Sequence, residues 1–300
     1  MAALKAAEPR LDIRGWHPGD WEQADRGWLA EAEGLLCFRL PRGFLAWMPR
    51  LRWVQSLGAG VDQLLNHPEL PPHVPITRTD GCFGYWMARY TLAHLLADAQ
   101  RLAAAAAAQA DRRWDAGLLP EDLSGARAIV LGFGHVGRQI GVALREIGLD
   151  VIGIVRTPRP DGRFQLEPVS ALPRLLPEAR VLVLAVPSTA ETRGLVGRDL
   201  LRCGNPRLLL VNVSRGEVLD TEALLDALAA GHVGRAVLDV FSEEPLAADS
   251  PLWDHPRVTV TPHHSGPSVP RELIPDILPN LRRFADGAAV EGAVDRSRGY

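Results

Sequence analysis

The six residues Gly132-Phe133-Gly134-His135-Val136-Gly137 fit G-x-G-x-x-G, the spacing that lets a backbone close around a pyrophosphate. The pattern alone is weak in a chain with 28 glycines, and a glycine-rich packing turn is its plain alternative. Its setting strengthens it. The apolar run ARAIVL leads in and a helical pattern leads out, so a dinucleotide's phosphates would meet a helix N-terminus. The next apolar run ends in Arg156-Thr157, with Arg159 close by, where an NAD site has an acidic residue on the ribose 2′-hydroxyl. A guanidinium and a hydroxyl would instead bind a 2′-phosphate, which favours NADP(H) over NAD(H); a solvated strand-end arginine is the alternative. Farther on, Arg215 follows LLLVNVS, Glu244 follows AVLDVFSE and His263 follows RVTVTP. Ligands of open α/β sheets bind at such strand ends. Each residue alone reads as an exposed charge; together they form an Arg…Glu…His order downstream of a dinucleotide turn.

Composition narrows the chemistry further. The chain has 300 residues, 47% of them apolar and 23% charged, which is the profile of a water-soluble globular protein with room for two domains. Lys5 is its only lysine among 33 basic residues, and it lies near the N-terminus. A Walker-type phosphate loop, Schiff-base chemistry and pyridoxal chemistry all need a lysine, so these are excluded. The net charge of −3 offers no basic surplus for nucleic acid or an anionic membrane face. No apolar run reaches the length of a bilayer span, and the N-terminus lacks the apolar core of a secretory signal. Cys37, Cys82 and Cys203 are far apart, with no metal-ligand spacing. These features suit a cytoplasmic protein and give no metal site.

The candidate residues need a scaffold of alternating strands and helices. Strand patterns run over 126–134, 150–156, 181–186, 207–213, 235–240 and 257–263. Helical patterns run over 136–148, stopped by Gly148, over 169–179, and over TEALLDALAAG at 221–231, with Thr221 as its cap and Gly231 as its stop. Nearly continuous apolar strands predict a doubly wound parallel sheet with helices on both faces. Before it, LDIRGW, GLLCFRL, RWVQSLGAG and PITRTDG are strand candidates for a second, smaller α/β unit. A long helix over about 84–110 is expected to link the two, and a helix over 269–286 to pack back on the smaller one.

With these residues in place, the chain resembles the D-isomer-specific 2-hydroxyacid dehydrogenases. The resemblance is carried by LGAGVD at 57–62 and by LGFGHVG, VPSTAETRGL, NVSRGEVLD, AVLDVFSEEPL and TPHHSG across 131–266. The closing strings SPLWDHPRV and VDRSRGY look like the bacterial glyoxylate/hydroxypyruvate reductase branch. The resemblance implies a Rossmann-type dinucleotide domain over 93–269. It also implies a flavodoxin-like substrate domain over 1–92 and 270–300, with cofactor and substrate meeting between them. The implied reaction is NADPH-dependent reduction of glyoxylate or hydroxypyruvate to the D-2-hydroxy acid by a homodimer. Arg215 would hold the substrate carboxylate and polarise its carbonyl. His263 would be the acid/base, with His264 as its competitor, and Glu244 would bond the far imidazole nitrogen, orienting the ring and favouring its charged form. Gly58, Ala59 and Gly60 would offer backbone N–H groups to the carboxylate. Gly132, Gly134, His135, Val136, Gly137, Arg156, Thr157, Val186, Pro187, Val213 and Asp239 would cradle the cofactor. Asp239 would meet the nicotinamide carboxamide, a structural aspartate being its alternative. Trp47 and Trp114 are pocket candidates that read better as core tryptophans.

Two departures stand out. Only MAALKAAEPR precedes LDIRGW, so the small domain's first strand is expected to be missing, and Arg89 stands where the family commonly has glutamate. Reduction of a bulkier 2-keto acid, or nucleotide sensing without turnover, are the competing readings. An intact Arg215/Glu244/His263 set argues against the sensor.

Overall fold

The structure, a computed structural model, describes residues 2–17 and 20–299, so Tyr300 of the closing string lies outside the described residues. The chain divides into two compact units, Met1–Phe83 with Ser268–Tyr300, and Gly84–Pro267. The first contains helices α1 (Ala2–Ala7) and α2 (Arg26–Glu31), strands β1 (Gly34–Cys37) and β2 (Trp53–Ser56), helix α3 (Asp62–Leu65) and strand β3 (Ile76–Thr77). The strands form a parallel sheet in the order β1-β2-β3. Val54 and Ile76 pack with Leu29, Met48 and Leu64, and the indoles of Trp21, Trp28 and Trp47 lie against this core. LDIRGW adds no strand to this sheet. Its side chains tie it to α2 and the residue before it: Trp28 Nε1 donates to Asp12 at 2.6 Å and Arg14 to Asp25 at 3.2 Å.

The second unit opens with α4 (Phe83–Ala99) and α5 (Leu102–Ala110), where one long helix was expected. The helix breaks because the Ala99 carbonyl accepts from Glu121 N–H at 2.9 Å instead of continuing the helical ladder, and Arg101 takes a left-handed φ of 56°. Then come β4 (Arg127–Leu131), α6 (His135–Glu146), β5 (Asp150–Val155), β6 (Gln165–Pro168), α7 (Leu172–Leu175), β7 (Ala179–Leu184), α8 (Arg198–Leu201), β8 (Asn205–Asn212), α9 (Thr221–Ala230), β9 (Val233–Leu238) and β10 (Val258–Val260). These strands pair in parallel as one 7-stranded sheet, ordered β10-β9-β8-β7-β4-β5-β6. Every site residue predicted on this unit therefore lies at one edge, where the strands end. The reversal of order beside β4, between β7 and β5, is the crevice where such sheets take ligands.

Side chains alternate between two cores. Ile129, Leu131, Leu182 and Leu184 face one, with Leu224 and Leu228 of α9. Ala128, Val130, Val181 and Val183 face the other, with Ile140 and Leu144 of α6. The smaller residues thus face the helix that must approach closely at the glycine turn. Asp220, not Thr221, caps α9: its side chain accepts from Ala223 N–H, and Gly231 ends the helix at φ 77°. The chain returns to the first unit as α10 (Pro270–Ala285), whose Asp276 accepts from Gly81 N–H at 2.6 Å and whose Phe284 stacks on Trp53 at 5.2 Å. No helix among the described residues is long and apolar enough to cross a membrane.

At the opposite edge of the large sheet a buried ion cluster ties the α4 break to the strands. Arg180, at 4% exposure, reaches Asp98 at 2.5 Å, Glu121 at 3.0 Å and the Arg207 carbonyl at 3.0 Å. Burial alone would raise the Glu121 pKa, but hydrogen bonds from Arg180 and Arg207 hold it below its ordinary 4.5. Its contribution to stability is therefore complete above that value and fades as pH falls through the lower, folded-state value. Arg180→Met would leave Glu121 with the exposed Arg207 and Asp98 with the more distant Arg235, and should cost up to about 3 kcal/mol in denaturant unfolding at neutral pH, with a smaller loss in acid.

Candidate active site

The glycine turn is built as a phosphate cradle requires. Gly132 follows β4 with φ 94°, and a Cβ there would stand 2.5 Å from the Ala185 carbonyl oxygen and 2.7 Å from Val186 Cγ1. A Cβ on Gly137 would lie 1.9 Å from the Gly132 carbonyl oxygen, so the third glycine is what lets α6 close on the turn. Gly134, the N-cap of α6, is different: nothing lies within 4 Å of its Cβ position. The helix N-terminus thus opens onto space at the one glycine where a pyrophosphate needs it. His135 and Val136 form the first helical positions, and His135 Nε2 pairs with Gln139 at 2.6 Å. The turn fits a dinucleotide.

Arg156 follows β5 directly and forms an ion pair with Glu191 at 2.5 Å, both half exposed or more. Glu191 belongs to the loop after β7. There Thr192 Oγ1 donates to the Pro187 carbonyl at 2.6 Å, holding Val186 and Pro187 beside the glycine turn. Val213, buried, continues β8 by donating to the Leu184 carbonyl.

Three loops at the ends of adjacent strands carry the polar set. After β8, the fully buried Asn212 shapes the turn: its Oδ1 accepts from Ser214 N–H at 3.0 Å and its Nδ2 donates to the Arg215 carbonyl at 3.1 Å. Arg215 Nη1 in turn donates to the Ser214 carbonyl at 2.8 Å. A Cβ on Gly216 would fall 1.9 Å from the Phe241 carbonyl carbon, so the Arg215 turn sits directly on the backbone that leads from β9 to Glu244. Glu244 Oε1 accepts from Phe241 N–H at 3.1 Å, and its Oε2 lies 2.8 Å from His263 Nδ1. A carboxylate only accepts, so Nδ1 carries the proton and Nε2 is the nitrogen left for a reacting oxygen. His264, the competitor, turns its ring toward Tyr90, 5.8 Å away and edge-on.

Asp239 has the contacts of a structural aspartate, the alternative to its coenzyme role. It is fully buried beneath the 261–265 turn, and its carboxylate accepts from Thr261 Oγ1 at 2.6 Å, His264 N–H at 3.0 Å and Ser265 N–H at 2.8 Å. A carboxylate has about four acceptor positions, so these three bonds leave one open on Oδ2. Ser265 Oγ, buried in the same turn, has no hydrogen-bond partner, which leaves an unspent polar group beside the strand ends. In the smaller unit, the Gly58 N–H is taken by Ser56 Oγ at 3.2 Å, so of the expected donors Ala59 and Gly60 are the ones that remain. Trp47 packs on Trp21 and Phe44, whereas Trp114, expected in a core, is 94% exposed. Arg89 lies over the Tyr85 ring at 3.4 Å on α4. Sequence reading missed Asn212, Gly216, Thr261 and Tyr90. Asn212 alone carried a signal, an amide closing an apolar strand.

A family model described as D-isomer specific 2-hydroxyacid dehydrogenase, NAD binding domain, matches residues 92–265. The chain is 32% identical to glyoxylate/hydroxypyruvate reductase A of Yersinia enterocolitica, over 100% of this chain and 95% of the relative. A D-isomer specific 2-hydroxyacid dehydrogenase from Xanthobacter autotrophicus Py2, solved with NADPH and MES, superposes with a TM-score of 0.90 at 37% identity, covering 100% of this chain and 94% of that one. An NADPH-dependent glyoxylate/hydroxypyruvate reductase from Sinorhizobium meliloti, solved with NADP and sulfate, gives 0.87 at 26% identity, covering 100% and 96%.

The glycine geometry separates folding from binding. Gly137→Ala should destabilise the protein by about 1–3 kcal/mol or more, because the methyl meets backbone. Gly134→Ala should leave the thermal midpoint nearly unchanged and weaken NADP+ binding roughly tenfold in a calorimetric titration. Unchanged binding by Gly134→Ala would remove the pyrophosphate from this turn.

Proposed function

The chain belongs to the D-isomer specific 2-hydroxyacid dehydrogenase family, and on that premise we propose that it reduces glyoxylate and hydroxypyruvate to the D-2-hydroxy acids with NADPH. The observation that carries this reading is the His263–Glu244 pair at 2.8 Å, on a loop packed against the Arg215 turn. Arg215 presents a planar guanidinium suited to two parallel bonds with a 2-keto acid's carboxylate. The backbone N–H groups of Ala59 and Gly60 suit a carboxylate as well. A bound NADPH supplies the hydride that the carbonyl carbon accepts. His263 holds the proton on Nε2 and gives it to the carbonyl oxygen as negative charge builds there. Glu244 keeps the imidazolium oriented and offsets its charge while the proton waits. Once deprotonated, the ring regains its proton from water, and the hydroxy acid leaves Arg215.

For the coenzyme, Gly132, Gly134, His135, Val136 and Gly137 would cradle the pyrophosphate, with Val186, Pro187 and Val213 along the nucleoside. Preference for NADPH rests on Arg156 and Thr157 standing where an acidic residue would repel the 2′-phosphate. The solved relatives holding NADPH or NADP agree with that reading. The Arg156–Glu191 pair does not oppose it, since an exposed pair contributes only about 0–1 kcal/mol and a doubly charged phosphate can take its place. We also propose a cytoplasmic homodimer. The three free cysteines suit a reducing compartment, and the exposed Leu102, Trp114 and Leu119 suit a second copy.

Initial rates with glyoxylate and hydroxypyruvate test the reading. His263→Ala should lower kcat about 10²–10⁴-fold with a small change in KM, while His264→Ala should stay active. A dead His264→Ala with an active His263→Ala would reverse the assignment. For the coenzyme, Arg156→Asp should shift the kcat/KM ratio toward NADH by roughly tenfold to a hundredfold, since it removes one charge-assisted bond of about 1.5–3 kcal/mol. Equal use of NADPH and NADH by the parent enzyme would contradict the preference.

A further inference from the structure

His263 has a backbone φ of 52°, in the left-handed region that a side chain other than glycine's rarely occupies. Such a conformation persists only when its surroundings over-determine it. Here they do. The Asp239 carboxylate takes the N–H groups of His264 and Ser265, the two residues after the bend. Thr261, two residues before the bend, closes the other side by donating its hydroxyl to Asp239 Oδ1 at 2.6 Å, and its carbonyl accepts from His263 N–H at 3.1 Å. With both ends of the five-residue turn on one buried carboxylate, the backbone has to reverse at His263. That reversal is what sends the two neighbouring histidines apart, His263 to Glu244 and His264 toward α4.

The Thr261 hydroxyl has one proton, and Asp239, an acceptor only, takes it. Its oxygen must therefore receive a proton from elsewhere to be satisfied. Tyr90 of α4 supplies it: its phenol oxygen stands 2.7 Å from Thr261 Oγ1. Burial raises the Tyr90 pKa well above the usual phenol range, so the group stays a donor throughout the pH range of the reaction. Tyr90 is itself wedged edge-on between the rings of His94 at 4.5 Å and His264 at 5.8 Å, which limits its rotation. The result is an ordered relay of hydrogen bonds, from Tyr90 to Thr261 to Asp239, linking a long helix to the turn that bears the acid.

We propose that Thr261, held by Tyr90, is a positioning residue for His263: it sets the backbone bend that brings Nδ1 to Glu244 and aims Nε2 at the substrate. Neither residue need touch substrate or coenzyme. The proposal rests on His263 being the acid of the reaction.

The test compares Thr261→Val, which keeps the shape and loses the hydroxyl, with Thr261→Ser, which keeps the hydroxyl, and with Tyr90→Phe, which loses one oxygen. Rates with hydroxypyruvate, NADPH affinity by fluorescence titration and thermal midpoints are measured on the full-length protein. Thr261→Val should lower kcat by about tenfold to a hundredfold, the scale of a misplacement of about 1 Å, with keto-acid KM and NADPH affinity within about twofold of the parent. Thr261→Ser should restore most of kcat, and Tyr90→Phe should fall between. If Thr261→Val does not fold, Tyr90→Phe carries the same test through its kcat and affinity. A parental kcat in the folded hydroxyl-less variants overturns the proposal. So does a loss of kcat matched by an equal loss of NADPH affinity, which would make the turn a coenzyme contact, or a failure of serine to rescue. His263→Ala, measured alongside, separates the two levels. If it keeps parental kcat, the acid assignment is wrong and the relay falls with it; if it is dead while Thr261→Val is parental, only the relay is wrong.

Discussion

The contact between His263 Nδ1 and Glu244 Oε2 joins two loops that leave adjacent strands, β9 and β10, and it depends on both being held from below. The Glu244 loop is fixed by its own turn, through Phe241 N–H, and by the Arg215 turn pressed against Phe241 at a position only glycine allows. The His263 loop is fixed by one buried carboxylate taking three hydrogen bonds. Phe241 and Leu246 pack the Glu244 loop on the core, and directional bonds set where the polar groups of both loops stand. A buried acceptor left unsatisfied costs about 1–3 kcal/mol, which makes the satisfied arrangement distinctly preferred.

Beneath those loops the sheet supplies a common edge. Parallel pairing puts the ends of all seven strands on the same side, so glycine turn, Arg156, Arg215, Glu244 and His263 converge without further design. Alanine and valine line the sheet face that α6 covers, and Gly137 lets that helix close on the glycine turn. That closeness puts the α6 N-terminus at the glycine turn, where its unpaired N–H groups and positive dipole end favour a phosphate. The residues proposed for nucleotide binding and for proton supply thus share one edge.

Much of this was legible in the sequence because it is encoded locally. Continuous apolar runs such as VLVLAV and RLLLVNV announce buried parallel strands, and the glycines at 132, 134 and 137 announce the turn between them. What was not legible is encoded at a distance. The break between α4 and α5 depends on Glu121 donating to Ala99, across a segment whose alanines read as uninterrupted helix. Edge strand β6 alternates Gln165 and Glu167 with Leu166 and Pro168, a pattern too polar and short to stand out from loop. Asp239 reads equally well as ligand contact or scaffold until its partners are seen. Tyr90 and Thr261 are 171 positions apart, and nothing in either local pattern links them.

The most direct measurement of the central claim is the tautomer of His263 in its neutral form, read from long-range proton–nitrogen spectra of the protein with labelled histidines. An unconstrained neutral imidazole prefers its proton on Nε2. His263 is expected to carry it on Nδ1, held there by Glu244, and to revert to Nε2 in Glu244→Gln, while His264 is the same in both proteins. An Nε2 proton on His263 in the parent, or an Nδ1 proton that survives loss of the carboxylate, would contradict it.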